Sequence, residues 1–384
     1  MTNFLCILLF NFLALLQPRT EATIIFAGDA MQHQSQLDAS RRGTEWAYDD
    51  CFARVAPWIK EADYAVVNLE TTLAEKNFTG YPCFASPDAF AKALADAGFD
   101  LFLNANNHTL DRRDKGLRRT LAVLDSMRVD HIGTYTDKPA RERNIPFVRN
   151  INGFKVGFLN YTYGTNGIKI HGNVAVDYID RDKIAADIAA TRKAGAELVV
   201  VLPHWGDEYH LVNNRYQSDL AQYMLESGAD MVIGMHPHVI QPMEMRRHKD
   251  GLSPVVYSLG NFISGMRTTD TRGGAMVKIT LGRDSAGRAV VKDAAYRLVF
   301  VQAGIHGRRA HRLHFIDRDT NLDSLLGAPY AGQARAFASN ALRTFNRYNV
   351  DFPRYSPTAA DTITACRTAV AAKDRDRKPT ATKK

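Results

Sequence analysis

Six short apolar runs, rich in β-branched residues, each break off into polar or metal-binding residue types. Ile24-Ile25-Phe26-Ala27 leads into Gly28-Asp29, Ala65-Val66-Val67 into Asn68-Leu69-Glu70, and Leu101-Phe102-Leu103 into Asn104-Ala105-Asn106-Asn107-His108. Further on, Val199-Val200-Val201-Leu202 leads into Pro203-His204-Trp205-Gly206, Met231-Val232-Ile233 into Gly234-Met235-His236-Pro237-His238, and Val255-Val256-Tyr257 into Ser258-Leu259-Gly260-Asn261-Phe262. Unbroken apolar runs of this length predict strands buried on both faces. Ligands of open α/β sheets bind beyond the carboxyl ends of strands. Asp29, Glu70, Asn107, His108, His204, His236 and His238 are therefore expected along one rim.

Periodic segments alternate with these runs, which predicts an α/β fold. Helices are expected over residues 87–97, capped by Ser86 and stopped by Gly98, and over 114–127, 180–193 and 215–227. Residues 146–149 and 155–161, either side of Asn152-Gly153, predict a hairpin. After Phe262 the pattern changes to the alternation of antiparallel strands over 274–281 and 288–301, and a last helix is expected over 333–348. The predicted organisation is a leader or anchor at 1–22, a main domain at 23–305, an extension with a helix at 306–371, and a disordered basic tail at 372–384.

The segment 4–16 is apolar except for Asn11 and meets Gln17-Pro18-Arg19. It has the length of a signal-peptide core and falls short of the roughly 20 residues of a spanning helix. Export is the expectation, to the periplasm, the exterior, or a membrane anchor facing outward. No Lys or Arg precedes Phe4, so a mis-assigned start is the competing reading. Without the leader, Cys51, Cys83 and Cys366 remain; one disulfide at most can form, and Cys51 with Cys83 is the favoured pair because both lie near the early motifs. No Cys-x-x-Cys spacing exists, which excludes thiolate zinc sites.

The 384 residues carry a formal charge of +8 and 45% apolar side chains, enough for a sizeable core. Basic runs at Arg112-Arg113, Arg118-Arg119, Arg246-Arg247-His248-Lys249 and Arg308-Arg309 read first as solvated surface and, near the rim, as contacts for a polyanion. They lack aromatic interleaving and no nucleic-acid module is present, so nucleic acid is not an expected partner.

The chemistry lies in the residues after the strands. His236 and His238, with His204, Asp29 and Glu70 at equivalent positions, form the imidazole and carboxylate set that suits zinc, manganese or iron. Such an ion lowers the pKa of bound water and supplies a nucleophile without serine or cysteine. Asn107 offers a neutral amide oxygen. His108 beside it can protonate a leaving group, oriented by Asp111 one turn on. Asn106-Asn107 also fits a turn whose side chains bond their own backbone. Asn68, Trp205, Glu208 and Asn261 are candidate substrate contacts; Trp205 reads first as a packing wall, and Glu208 as a support for the ligands or an exposed charge. Ser258 lacks the G-x-S-x-G surroundings of a serine hydrolase.

In order, G-D-A-M from Gly28, N-L-E from Asn68, A-N-N-H-x-x-D from Ala105, H-W-G-x-E from His204, H-P-H from His236 and S-L-G-N-F from Ser258 resemble the CapA family of capsule synthesis in poly-γ-glutamate producers. The set, spanning about residues 23–262, is more remotely similar to the calcineurin-like metallophosphatases. That resemblance implies a β-sandwich flanked by helices with a two-metal site at the strand ends. It implies Asp29 and His238 on one divalent metal, Asn107, His204 and His236 on the other, Glu70 as bridge and His108 as proton donor. Met31 stands where the phosphatase pattern has a histidine, and Glu70 where it has an aspartate. A thioether replaces imidazole poorly for hard metals, so one metal or two can be accommodated; His33, two residues on, is either a substitute ligand or a solvated loop histidine. The implied function is hydrolysis or transfer at an ester or amide bond of an acidic extracellular polymer or its precursor, beside membrane-bound polymer-synthesis proteins. The alternatives are a non-catalytic polymer-binding or assembly subunit and a cytoplasmic phosphoesterase.

Overall fold

The computed structural model describes residues 20–248 and 251–356. The apolar segment 4–16, Cys366 and the expected tail lie outside them. Among the described residues the main sheet has fourteen strands. They are β1 Ala22–Ala30, β2 Tyr64–Leu69, β3 Leu101–Leu103, β4 Asp130–Ile132, β5 Val148–Ile151, β6 Phe154–Thr162, β7 Leu198–His204, β8 Met231–Ile233, β9 Met243–His248, β10 Gly251–Val256, β11 Asn261–Ile263, β12 Gly273–Arg283, β13 Ala289–Gln302 and β14 Arg312–Phe315. Their spatial order is β4-β3-β2-β1-β12-β13-β10-β8-β7-β6-β5, with β11 beside β1, β9 beside β10 and β14 beside β13.

Two parallel wings are visible in this order. One joins β1 to β4, the other β6, β7, β8 and β10. The antiparallel strands expected after Phe262 are present as β12 and β13, and they bridge the wings. Asn152 and Gly153 take φ of 48° and 87° and turn β5 into β6, as the sequence predicts. The wings fold over each other: Tyr64 of β2 packs on Phe158 of β6, ring centroids 5.4 Å apart, although six strands separate them along the sheet. The terminal strands meet as well, through Arg149 of β5 and Asp130 of β4 at 2.6 Å. That contact blunts two edges that would otherwise offer unpaired backbone.

Among the described residues, five helices of ten or more residues lie against the sheet: α1 Asp88–Ala97, α2 Arg113–Met127, α3 Arg181–Lys193, α4 Arg215–Glu226 and α5 Tyr330–Tyr348. Gly98, at φ 111°, stops α1. Pro87 occupies the N-cap, however, and the Ser86 hydroxyl bonds Thr71 at 2.7 Å instead. Asp180 caps α3 by accepting from the Lys183 N–H, and Asn214 caps α4 through Gln217.

Alternation along β1 divides the core. Ile24 and Phe26 join the interior between the wings, while Ile25 and Ala27 pack outward with Phe90 and Leu94 of α1. Each large apolar side chain buried this way contributes about 1.5–3 kcal/mol, and the strand ends are fixed accordingly. Cys51 and Cys83 are both free thiols, against the expected pairing. Cys51 is buried in the outward cluster with Phe52 and Trp58, whereas Cys83 lies exposed in a loop. The basic runs are partly consumed by structure: Arg119 grips Asp88 with both guanidinium nitrogens, and Arg246 bonds Glu244. Among the described residues no helix is long and apolar enough to cross a membrane.

Candidate metal centre

Local backbone features aim the ligand-type side chains. A Cβ at Gly28 would meet the Gly260 carbonyl oxygen at 2.0 Å. Only glycine lets β1 lie this close to the 258–262 segment, where the Asp29 N–H donates to Gly260 O at 3.0 Å. The register of β1 against β2 shifts between Ala27 and Asp29, which re-aims Asp29 as a bulge does. Beyond β8, His236 and His238 take φ of 104° and 59°. Non-glycine residues in that region are strained and cluster at functional sites.

The two wings contribute side chains to one buried cluster. Asp29, Glu70 and His204 place one ligand atom each within 4.8 Å of one another, and Glu70, His236 and His238 do the same. Glu70 is common to both groups. Its Oε1 lies 3.6 Å from His204 Nε2 and 3.6 Å from His238 Nε2, and it accepts no hydrogen bond. His236 Nδ1 is likewise buried without a partner. Asp29 Oδ2 is 3.2 Å from His238 Nδ1 and accepts from the His236 N–H at 3.3 Å. Asn107 Oδ1 stands 2.9 Å from His204 Nε2.

Burial, followed by the facing Asp29 carboxylate, pushes Glu70 well above the usual carboxylate range. Burial, followed by neighbouring imidazoles, holds His204 well below its ordinary value and His236 down to about 3. Neutral imidazoles are the state that binds metal. Among the described residues Glu70 has ion-pair contacts with histidines and none with arginine or lysine, and the donor set of carboxylate, imidazole and amide oxygen fits a divalent transition metal.

Beside the cluster, His108 Nδ1 is held by Asp111 Oδ2 at 2.8 Å, and that oxygen also accepts the Phe84 N–H at 2.6 Å. The His108 N–H donates to Asn106 Oδ1 at 3.1 Å. His33 is half-buried rather than solvated, and its Nδ1 accepts from the Gly265 N–H at 3.2 Å. It belongs to neither ligand group.

Three expected substrate contacts sit elsewhere. Trp205 is fully buried and donates its indole N–H to Tyr257 O at 2.9 Å, so it is a packing wall with no face for a ligand. The buried Asn68 stands behind the ligands: its Nδ2 faces Asp29 Oδ1 at 2.8 Å, His204 Nδ1 at 3.3 Å and Glu70 Oε2 at 3.4 Å. Asn261, also buried, lies 3.2 Å from His238 Nδ1 and donates to Thr271 O at 2.9 Å. Both asparagines are buried and contact the ligand-type side chains directly. Glu208 is exposed.

Sequence reasoning missed Asn106 as a brace and Asn160 altogether. Asn106 Nδ2 donates to Leu69 O at 2.9 Å and to Asn68 Oδ1 at 3.2 Å. Asn160 Oδ1 accepts the Ala105 N–H at 2.7 Å while its Nδ2 donates to Leu202 O at 2.8 Å, tying the Asn107-bearing loop to the opposite wing. A lone amide inside an apolar strand was the available signal.

Residues 23–266 match the model of a family described as Bacterial capsule synthesis protein PGA_cap. The capsule biosynthesis protein CapA of Bacillus anthracis is 30% identical over 272 residues, covering 67% of this chain and 64% of that protein. The PGA biosynthesis protein CapA of Bacillus subtilis (strain 168) is 29% identical over 62% of this chain and 63% of its own. The chain thus spans less than two thirds of the length of these relatives. Among solved structures, the NAD nucleotidase of Haemophilus influenzae superposes at a TM-score of 0.46 with 12% identity, over 92% of this chain and 60% of that one. That likeness is too loose to bear an argument.

Proposed function

The chain belongs to the bacterial capsule synthesis family PGA_cap, and from that premise we propose a metal-dependent hydrolase or transferase acting at an ester or amide bond of a poly-γ-glutamate-type polymer or its precursor. The observation that carries this reading is Glu70, buried with an unpaired oxygen between His204 and His238. Asp29, Glu70, Asn107, His204, His236 and His238 would hold one or two ions, of manganese, zinc or iron by donor type. Such an ion polarises an ester or amide oxygen and brings the pKa of bound water toward neutrality. The chain's own part is orientation and proton transfer. Asn68 and Asn261 fix the ligand side chains. Asp111 holds His108 by Nδ1, which leaves Nε2 to hand a proton to the leaving group. Export, and work beside membrane-bound polymer-synthesis proteins, belong to the same proposal and rest on the apolar segment 4–16.

Metal analysis of the purified protein, with assays on phosphodiester and γ-glutamyl amide substrates, tests it. Glu70→Ala is expected to lose metal and activity together. His108→Ala is expected to keep its metal and lose roughly 10²–10⁴-fold in rate. Equal activity in wild type and both variants removes the catalytic reading. Met31, buried where a phosphatase has a ligand histidine, favours a second reading, a non-catalytic polymer-binding or assembly subunit. Its mark is polymer binding that salt weakens and chelators leave untouched.

A further inference from the structure

Three tyrosines that no motif includes stand exposed at the metal centre: Tyr163, Tyr209 and Tyr81, at 47%, 54% and 73% exposure. Scattered exposed aromatics are ordinary, but these rest on the site's own rings. Tyr163 lies 4.6 Å from the His236 ring and stacks at 9° on His204 at 6.4 Å. Tyr209 lies 6.2 Å from His238. Tyr81 lies 6.4 Å from Phe84, which meets His108 edge-on at 4.6 Å.

Tyr209 is also held in an unfavourable backbone conformation. Its φ is 67°, and its N–H donates to Pro237 O, between the two ligand histidines, at 2.8 Å. Strain of this kind persists only where the surroundings impose it, and here it presents an aromatic ring to solvent beside His238. Glu208, next to Tyr209 in the chain, is exposed beside it.

We infer that Tyr163 and Tyr209 bind substrate by stacking on its neutral planar amide linkages, with Glu208 accepting an amide N–H, and so set the linkage over the ligand cluster. The faces of aromatic rings carry negative charge density and Glu208 carries a full negative charge. Both disfavour a carboxylate and suit an amide, which is flat, uncharged and a donor. The mouth therefore reads the bond between the units of an acidic chain rather than the acid groups. This inference rests on the polymer reading of the site.

The test is calorimetric binding of a γ-linked glutamyl decamer to the Mn²⁺-loaded full chain, with metal content measured in parallel. Tyr163→Ala and Tyr209→Ala are each expected to weaken binding roughly 3- to 10-fold, and the double variant by more than about 10-fold. The corresponding Phe variants should stay near wild type, and all should keep their metal. Decamer binding unchanged in the double variant overturns the inference and leaves the polymer reading standing. Metal loss in the Ala variants also overturns it, because the rings would then be props for the imidazoles. Failure of the wild type itself to bind the decamer overturns the inference and the polymer reading together.

Discussion

Asp177 and Asp187 in one region, and Asp29 and Glu70 in another, are both buried pairs of carboxylates. The first pair is answered from within the chain. Arg141 Nε bonds Asp177 at 2.5 Å and Arg141 also bonds Asp187. Lys183 reaches Asp177 at 2.9 Å and Asp187 at 3.0 Å, and the Tyr135 and Tyr161 hydroxyls complete the set. Among the described residues, the second pair's ion-pair partners are His204 and His238, and burial holds His204 well below its ordinary value. Where permanence is needed the fold supplies its own cations. At the rim no arginine or lysine among the described residues pairs with Asp29 or Glu70, and on the proposed function that deficit is where a cation would sit.

The difference can be tested from either side. The largest effect is expected at the self-sufficient pair. Arg141→Ala leaves two buried carboxylates with the Lys183 ammonium and two tyrosine hydroxyls, where burial already lifts Asp177 to about 6. A loss of about 3 kcal/mol in urea denaturation is expected, the low end for a broken buried pair because the guanidinium is partly exposed. At the rim, Asn68→Ala removes a brace rather than a charge. Metal affinity is expected to fall roughly 10- to 100-fold by titration, and the metal-free protein to lose about 1–3 kcal/mol for the buried partners left unpaired.

Acid sharpens the contrast further. The His236 pKa is about 3 in the folded chain against 6.5 for the free side chain. The metal-free protein should therefore be fully stable with respect to this group above about pH 6.5, and lose up to about 1.4 kcal/mol per pH unit as pH falls from 6.5 toward 3. His236→Gln should flatten that slope. A wild type that gains stability over the same interval would mean that the imidazoles are the counter-charge after all, and the contrast would fail. The smallest effect has the opposite sign to the first. Glu70→Gln removes the uncompensated acid, and metal-free protein should be stabilised by about 1 kcal/mol in the same denaturation assay while metal binding is lost.

The ends of the six apolar runs were legible because those strands are buried on both faces, and the residues just past the end of such a strand have few directions to go. Asp29, Glu70, Asn107, His204, His236 and His238 accordingly meet. Depth was not legible. Residue type made Asn68, Asn261 and Trp205 look like substrate contacts, and only packing shows that they stand behind the ligands. Nor does one sequence state which strands face each other across a folded sheet, so Asn160's bridge from β6 to the Asn107 loop and the Tyr163 ring over His236 went unread. The antiparallel section was foreseen, but its place between the wings depends on pairings distant in the chain.

The left-handed backbone at His236 and His238 sets a course for descendants of this chain. Glycine is the replacement that relaxes such a residue, so at these two positions the change that most eases folding is also the one that removes a candidate metal ligand. A lineage that no longer needed those two imidazoles would drift toward glycine there while its other buried histidines stayed put. The wear would be local enough to mark the loss of the site from sequence alone.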